Sequence, residues 1–371
     1  MSSMSTASRQ PFLDILKVFA ILCVVITHFP WTAVERLQYG FPFWIDTAMP
    51  IFMMLSGYLC FKSFYAKGAK NLFDVYKVSG LCRRLARFVI PFAIIVPFDI
   101  LCGMFGPKHM PFSTCAFRIF LGGQGPGSYY IPMMIQFVLT FPLIYLFVCK
   151  WRISGVILLV FSNIMYEYCC TKMGVHPEIY RICIFRHLGV VALGAFSASL
   201  LESGLTRRDA YLRMIISGGV MFLCGALFLY LSCYGHYSPI IFCRWKTTSL
   251  ISALYTVGGF YFVMGWIVRY KHGVHGAKYE NANLLTSIKY ILLNIGKRTY
   301  AIFLVQKIFY AFPAVVILNL PINRGLRLAL CVTCCFLLGV VYDGFVNSLF
   351  PWPNASRNNF CVQSKQNGDI T

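Results

Sequence analysis

The chain has 371 residues, of which 58% are hydrophobic and only 12% charged, and this excludes an ordinary soluble protein, in which about a quarter of residues carry charge. Aromatic residues make up 17%, and apolar runs of about twenty residues, the length of a membrane-spanning helix, recur along the chain. A net charge of +21 would point to nucleic acid in a soluble domain; here Lys and Arg flank apolar runs as loop anchors, and nucleic-acid binding is set aside.

The patterning predicts an all-α, polytopic transmembrane helical bundle of about ten spans in the lipid bilayer. They lie near 12–31, 43–61, 87–106, 128–149, 153–170, 182–201, 213–233, 249–268, 299–319 and 326–349. One membrane domain, 1–353, is followed by a polar tail, 354–371. Most of the 33 basic residues fall on one side when the amino terminus is placed inside, so both termini are expected in the cytoplasm. Lys17 interrupts the first apolar run, and no small-residue cleavage site follows. The segment therefore reads as a retained signal-anchor helix.

Span one carries Asp14, Lys17 and His28. Ionisable groups inside a spanning helix are costly and usually line a polar interior. Asp14 and Lys17 are spaced i, i+3 and can pair, either as a structural ion pair or as part of a site. Lys17 and His28 are almost three turns apart and share a face. His28 is either a boundary histidine beside Trp31 or a general base that titrates near neutral pH. Asp46, at a similar depth in span two, would hold the imidazole in its working tautomer. Ser56-Gly57 ends the apolar part of span two, where small residues let helices approach closely.

Arg83, Arg84 and Arg87 open span three at i, i+3 and i, i+4 spacing. Arginine forks clasp phosphate oxygens bidentately, so this cluster either anchors the loop or holds a phosphorylated soluble donor. The loop 122–128, Gly-Gly-Gln-Gly-Pro-Gly-Ser, reads as a flexible entrance or turn ahead of span four. The stretch 286–298 reads as an amphipathic interfacial helix, and Lys307 stands alone inside span nine. Cys331, Cys334 and Cys335 sit at helical spacing in an apolar run, where thiols pack as small hydrophobes. No paired zinc spacing, Walker loop or nucleophile elbow occurs, so neither a metal nor a bound cofactor is expected.

Together these pieces resemble the acyltransferase-3 family of integral membrane acyltransferases, which modify sugars of bacterial surface glycans. The family's Leu-Asp-Gly-Leu-Arg opening, with a histidine eleven residues on, is matched by Leu13-Asp14-Ile15-Leu16-Lys17 and His28. Its Phe-Phe-x-x-Ser-Gly run is matched by Phe52 to Leu59, and its basic element by Arg83-Arg84-Leu85-Ala86-Arg87 through Pro91. Ser128-Tyr129-Tyr130 and Thr299 to Gln306 are similar to later family elements. The likeness covers about residues 9–349. Lys17 replaces the usual arginine, and Gln306 stands where many members have histidine; both changes look like the branch of acetyl- or succinyltransferases for cell-surface poly-sugars.

The resemblance implies acyl-CoA as co-substrate on the cytoplasmic side and a surface glycan or lipid-linked sugar as acceptor. His28, Lys17 and Asp14 would be catalytic, Arg83, Arg84 and Arg87 donor-binding, with Asp46, Ser56, Tyr130 and Gln306 in support. It also implies a bacterial inner membrane. Two rivals stay open: an exporter of the sugar itself, and a non-catalytic scaffold for a polysaccharide synthase. A carrier would place charged or broken helices near the midplane of both halves, whereas the ionisable residues of this chain are expected to cluster in spans one and two and at the arginine element.

Overall fold

The computed structural model describes residues 11–106, 109–202, 207–235, 237, 246–273 and 283–351. The polar tail 354–371 and Lys278 of the basic loop lie outside the described residues. Every regular element among the described residues is helical. Helix α1, Pro11–Thr27, is followed by α2, Ala33–Gln38, and α3, Phe41–Trp44. Thr32 and Glu35 start α2 as a reciprocal capping box, which satisfies two of its otherwise unbonded N–H groups. Then come α4, Ala48–Tyr65, α5, Leu72–Val75, α6, Val78–Phe105, and α7, Phe112–Phe120.

Next is α8, Tyr130–Lys172, which at 43 residues is twice the length one crossing needs. It breaks at Arg152, whose φ of 43° and ψ of −115° are not helical. The expected fourth and fifth spans are the two limbs of this element. The chain continues through α9, Pro177–Ile182, α10, Leu188–Glu202, α11, Arg207–Cys233, and α12, Leu250–Gly273. Asn283–Lys297 forms α13, the helix expected over 286–298, and leads into α14, Thr299–Ala311. Last are α15, Ala314–Leu318, and α16, Arg324–Leu349.

Seven helical stretches among the described residues are long and apolar enough to cross a bilayer, and the protein is a multi-pass integral membrane protein. The expected ninth span, 299–319, is not continuous. It stops at Ala311 and restarts as α15 after Pro313, because proline lacks an N–H and pushes the residue before it out of the helical region.

Between membrane helices, close packing and hydrogen bonds do what burial from water does elsewhere, and small residues at the crossings permit it. The crossing of α4 with α10 shows why Gly57 is glycine. A Cβ there would lie 2.2 Å from the Val191 carbonyl oxygen, and one at Gly194 would lie 2.2 Å from the Met54 oxygen. Ser56, the neighbour of Gly57, turns the other way and lines a cavity. Prolines 91 and 97 stand inside α6. The hydroxyls of Tyr300 and Tyr342 donate to the carbonyls of Phe88 and Pro91, in the manner by which neighbouring helices tolerate proline in a span.

Both ends of the bundle are tied down by polar contacts. At one end, Lys62 pairs with Glu202 at 3.3 Å, and the segment after α4 is held to α8 by Tyr145 Oη on the Ala69 carbonyl. At the other end, Arg324 binds Glu35 and donates to the Pro30 carbonyl at 2.7 Å. That contact fixes the chain that leaves His28.

Candidate active site

His28 stands one residue beyond α1, and its N–H closes the last turn on the Val25 carbonyl at 3.4 Å. Its imidazole meets the Tyr310 ring edge-on at 6.2 Å between centroids. A cavity of about 460 Å³ opens beside it, within the usual range for small-molecule sites. His28, Tyr129, Tyr310, Arg118, Arg181 and Glu178 line it together with the loop 123–128. Arg181 stands over the Tyr129 ring at 5.3 Å. Tyr310 lines this cavity, and Gln306 Oε1 is buried without a hydrogen-bond partner among the described residues.

The glycine-rich loop, read from its composition as a flexible entrance or turn, lines the cavity and is hydrogen-bonded to two helices. Asp99, on α6, and Lys307, on α14, form an ion pair at 3.4 Å with both side chains fully buried. Asp99 Oδ2 also accepts the Gln124 N–H at 3.0 Å, and Lys307 Nζ donates to the Gly122 carbonyl at 2.6 Å. Gly122, Gly123 and Gly127 take φ values of 92°, 103° and 80°, which only glycine adopts without cost. Gln306, the residue before Lys307 on α14, reaches the Pro126 carbonyl through Nε2 at 3.5 Å.

A second cavity, about 150 Å³, lies toward the other end of the bundle and is lined by Lys17, Ser56, Phe52, Tyr130, Tyr300 and Phe303. The two cavities approach each other at Gly127. A Cβ there would sit 3.2 Å from the Phe303 ring and 3.6 Å from His28 Nε2. Phe303 packs on Tyr130 at 4.7 Å between centroids, so this aromatic pair forms the neck.

The family model described as an acyltransferase domain matches residues 10–346. The chain belongs to the acyltransferase-3 family. No curated protein and no solved structure matches it. In this acyltransferase Asp14 and Lys17 are joined at 3.2 Å, and Lys17 faces the second cavity. Lysine at this position reaches one carboxylate oxygen as a point charge, where a guanidinium could have bound both.

The arginine element sits at the Lys17 end. Arg84 lies over the Phe64 ring at 3.9 Å and reaches Ser63 Oγ at 3.5 Å, while Arg83 and Arg87 are exposed. Partial burial, then the fields of Arg84, Arg83 and Arg87, hold the Lys67 ammonium below the usual lysine range. Four cations thus share one patch. Along α6, Cys102 lines the His28 cavity, fifteen residues beyond Arg87, which is about 22 Å of helix. The acyltransferase thus carries its cationic patch and its histidine toward opposite ends of α6.

Two further expectations need correcting. Asp46 does not hold the His28 imidazole. It binds Arg36 at 2.8 Å, and Arg36 in turn reaches Thr27 Oγ1 at 3.2 Å. Similar depth in two helices fixes height in the membrane but not the direction around the helix axis, and Arg36 of α2 takes the carboxylate instead. Buried ionisable groups are also not confined to spans one and two, since Asp99, Glu167, Arg186, His187 and Lys307 are all buried. Glu167 ties α8 to α12 through the Leu250 N–H at 3.0 Å. Tyr310 and Asp99, which the site also uses, belong to none of the sequence motifs. Tyr310 was detectable as the i+4 neighbour of Gln306; Asp99 carries no local signal.

Proposed function

We propose that this acyltransferase moves an acetyl or similar acyl group from cytoplasmic acyl-CoA to a hydroxyl of a surface glycan or lipid-linked sugar, with His28 as general base. In that reaction His28 Nε2 takes the hydroxyl proton as the sugar oxygen attacks the thioester carbonyl. The carbon–sulfur bond breaks, the ester forms, and the imidazolium returns the proton to the departing thiolate. The observation that carries this reading is the pair of cavities that approach each other at Gly127, one on the Lys17 side of the Phe303–Tyr130 neck and the other opening beside His28. A donor held by its phosphates at Arg83, Arg84 and Arg87 would send its acyl group inward past Lys17 and Ser56. The sugar would enter from the His28 end, where Arg118, Arg181 and Glu178 offer polar contacts. The bacterial inner membrane, with both termini in the cytoplasm, is the setting in which these two sides make sense.

The test is acyl transfer from acetyl-CoA or succinyl-CoA by the purified full-length protein in detergent. With wild type active, the Arg84→Ala, Arg87→Ala double variant should insert normally and show a raised KM for acyl-CoA. Removing each charge-assisted hydrogen bond to a phosphate should cost about 1.5–3 kcal/mol. Unchanged donor kinetics would return the cluster to loop anchoring.

Sidedness has its own test. In a cysteine-depleted background, Lys70→Cys, beyond α4, should resist an impermeant maleimide in intact cells, and Gln38→Cys, in α2, should label; both positions are exposed. Labelling of Lys70→Cys from outside would put the donor patch on the wrong side for CoA.

A further inference from the structure

We infer that Asp99 and Lys307 are positioning residues, which hold the glycine-rich loop as a wall of the acceptor cavity beside His28. The inference deepens the reading of that cavity as the sugar site and rests on it. Two opposite charges on distant helices, both fully buried, are poorly explained by packing alone, because a well-packed apolar pair of similar volume is often as stable or more so. What apolar residues could not supply is the pair's second set of contacts. The nearest partner of the Lys307 ammonium is the Gly122 carbonyl at 2.6 Å; Asp99 is farther, at 3.4 Å. Asp99 in turn accepts the Gln124 N–H. The pair therefore brackets Gly123 from both sides by its backbone.

The loop is shaped to sit on this pair. A Cβ at Gly123 would fall 2.0 Å from Asp99 Oδ2 and 2.3 Å from Lys307 Nζ, and one at Gly125 would fall 2.0 Å from the Lys307 carbonyl. From there the chain runs to Pro126, held by Gln306, and to Gly127 against His28 and Phe303. Helix α14 thus grips the loop at both ends, and a shift of the pair would move the cavity wall relative to His28. Misplacement of a reacting group by about 1 Å can cost on the order of a hundredfold in rate.

Hydrogen exchange and steady-state kinetics on the full-length protein test this together. Asp99→Asn should speed exchange of the amides at 122–127. It should also lower kcat/KM for the acceptor by up to about a hundredfold while the KM for acyl-CoA stays at its wild-type value. Gly123→Ala, which leaves both charges in place but pushes the loop away, should give the same exchange and kinetic pattern. The charge swap Asp99→Lys, Lys307→Asp keeps an ion pair between α6 and α14 but puts an ammonium where Gln124 N–H needs an acceptor and a carboxylate where the Gly122 carbonyl needs a donor. It should restore yield and thermal stability to any poorly folding single variant without restoring loop protection or acceptor kinetics. Full kinetic rescue by the swap, or unchanged loop exchange in Asp99→Asn, would reduce the pair to a structural bridge. A changed loop with unchanged acceptor kinetics would also overturn the inference. If the wild type transfers to no sugar, the proposed function fails, while the exchange data still report whether the pair holds the loop.

Discussion

Replacing His28 by alanine is expected to remove acyl transfer while the protein still inserts and binds acyl-CoA with wild-type affinity. The imidazole lies at the end of α1, outside the tight helix crossings, and among the described residues no side chain hydrogen-bonds it. Its loss should therefore cost little stability. Removing a general base typically costs 10²–10⁴-fold in rate, far more than removing a boundary histidine. The measurement is turnover per mole of correctly inserted protein, with donor binding checked in parallel. Retention of more than about a tenth of wild-type turnover, above even the mild end of that range, would show that His28 is not the base. Lys17→Arg, which restores the residue usual in the family, should keep activity, since the charge facing Asp14 is preserved.

The second large effect is on folding. Gly57→Ala should destabilise the bundle by about 1–3 kcal/mol, because its new methyl would collide with the Val191 carbonyl, a backbone atom that moves only if α4 and α10 separate. Gly194→Ala loads the same crossing from the other helix. The two effects should not add, since contacting sites share the same displacement. Ser56→Ala, one residue away but facing the second cavity, should leave stability within about 0.5 kcal/mol. Unfolding midpoints in detergent decide the matter, and an unaltered midpoint for Gly57→Ala would mean that the crossing is looser than its geometry.

Residues that act within one helix were legible from spacing. Asp14 and Lys17 are three positions apart and do meet. Ser56 and Gly57 face different neighbours, as residues about 100° apart around a helix axis can. The arginine element was visible as a run, and its clustering with Lys67 follows from the short connection between α4 and α6. Pro313 announced the break in the ninth span, although apolar composition carried the expected helix across it.

By itself, the sequence determined that this is an all-helical membrane acyltransferase of the acyltransferase-3 family, since bilayer thickness dictates run length and local motifs carry the family likeness. It also put Asp14 and Lys17 within reach of each other on α1. Only the tertiary structure decided that Asp46 serves Arg36 instead of His28, that Tyr310 stands against the imidazole, and that a loop rich in glycine is hydrogen-bonded to Asp99 and Lys307. The physical reason is the same in each case. Periodicity reports the direction of a side chain relative to its own helix axis, whereas a pair such as Asp99 and Lys307 exists only once two helices far apart in the chain have been rotated into register. The cost of leaving either charge alone in the membrane makes that pairing obligatory, yet leaves no mark on the residues around it.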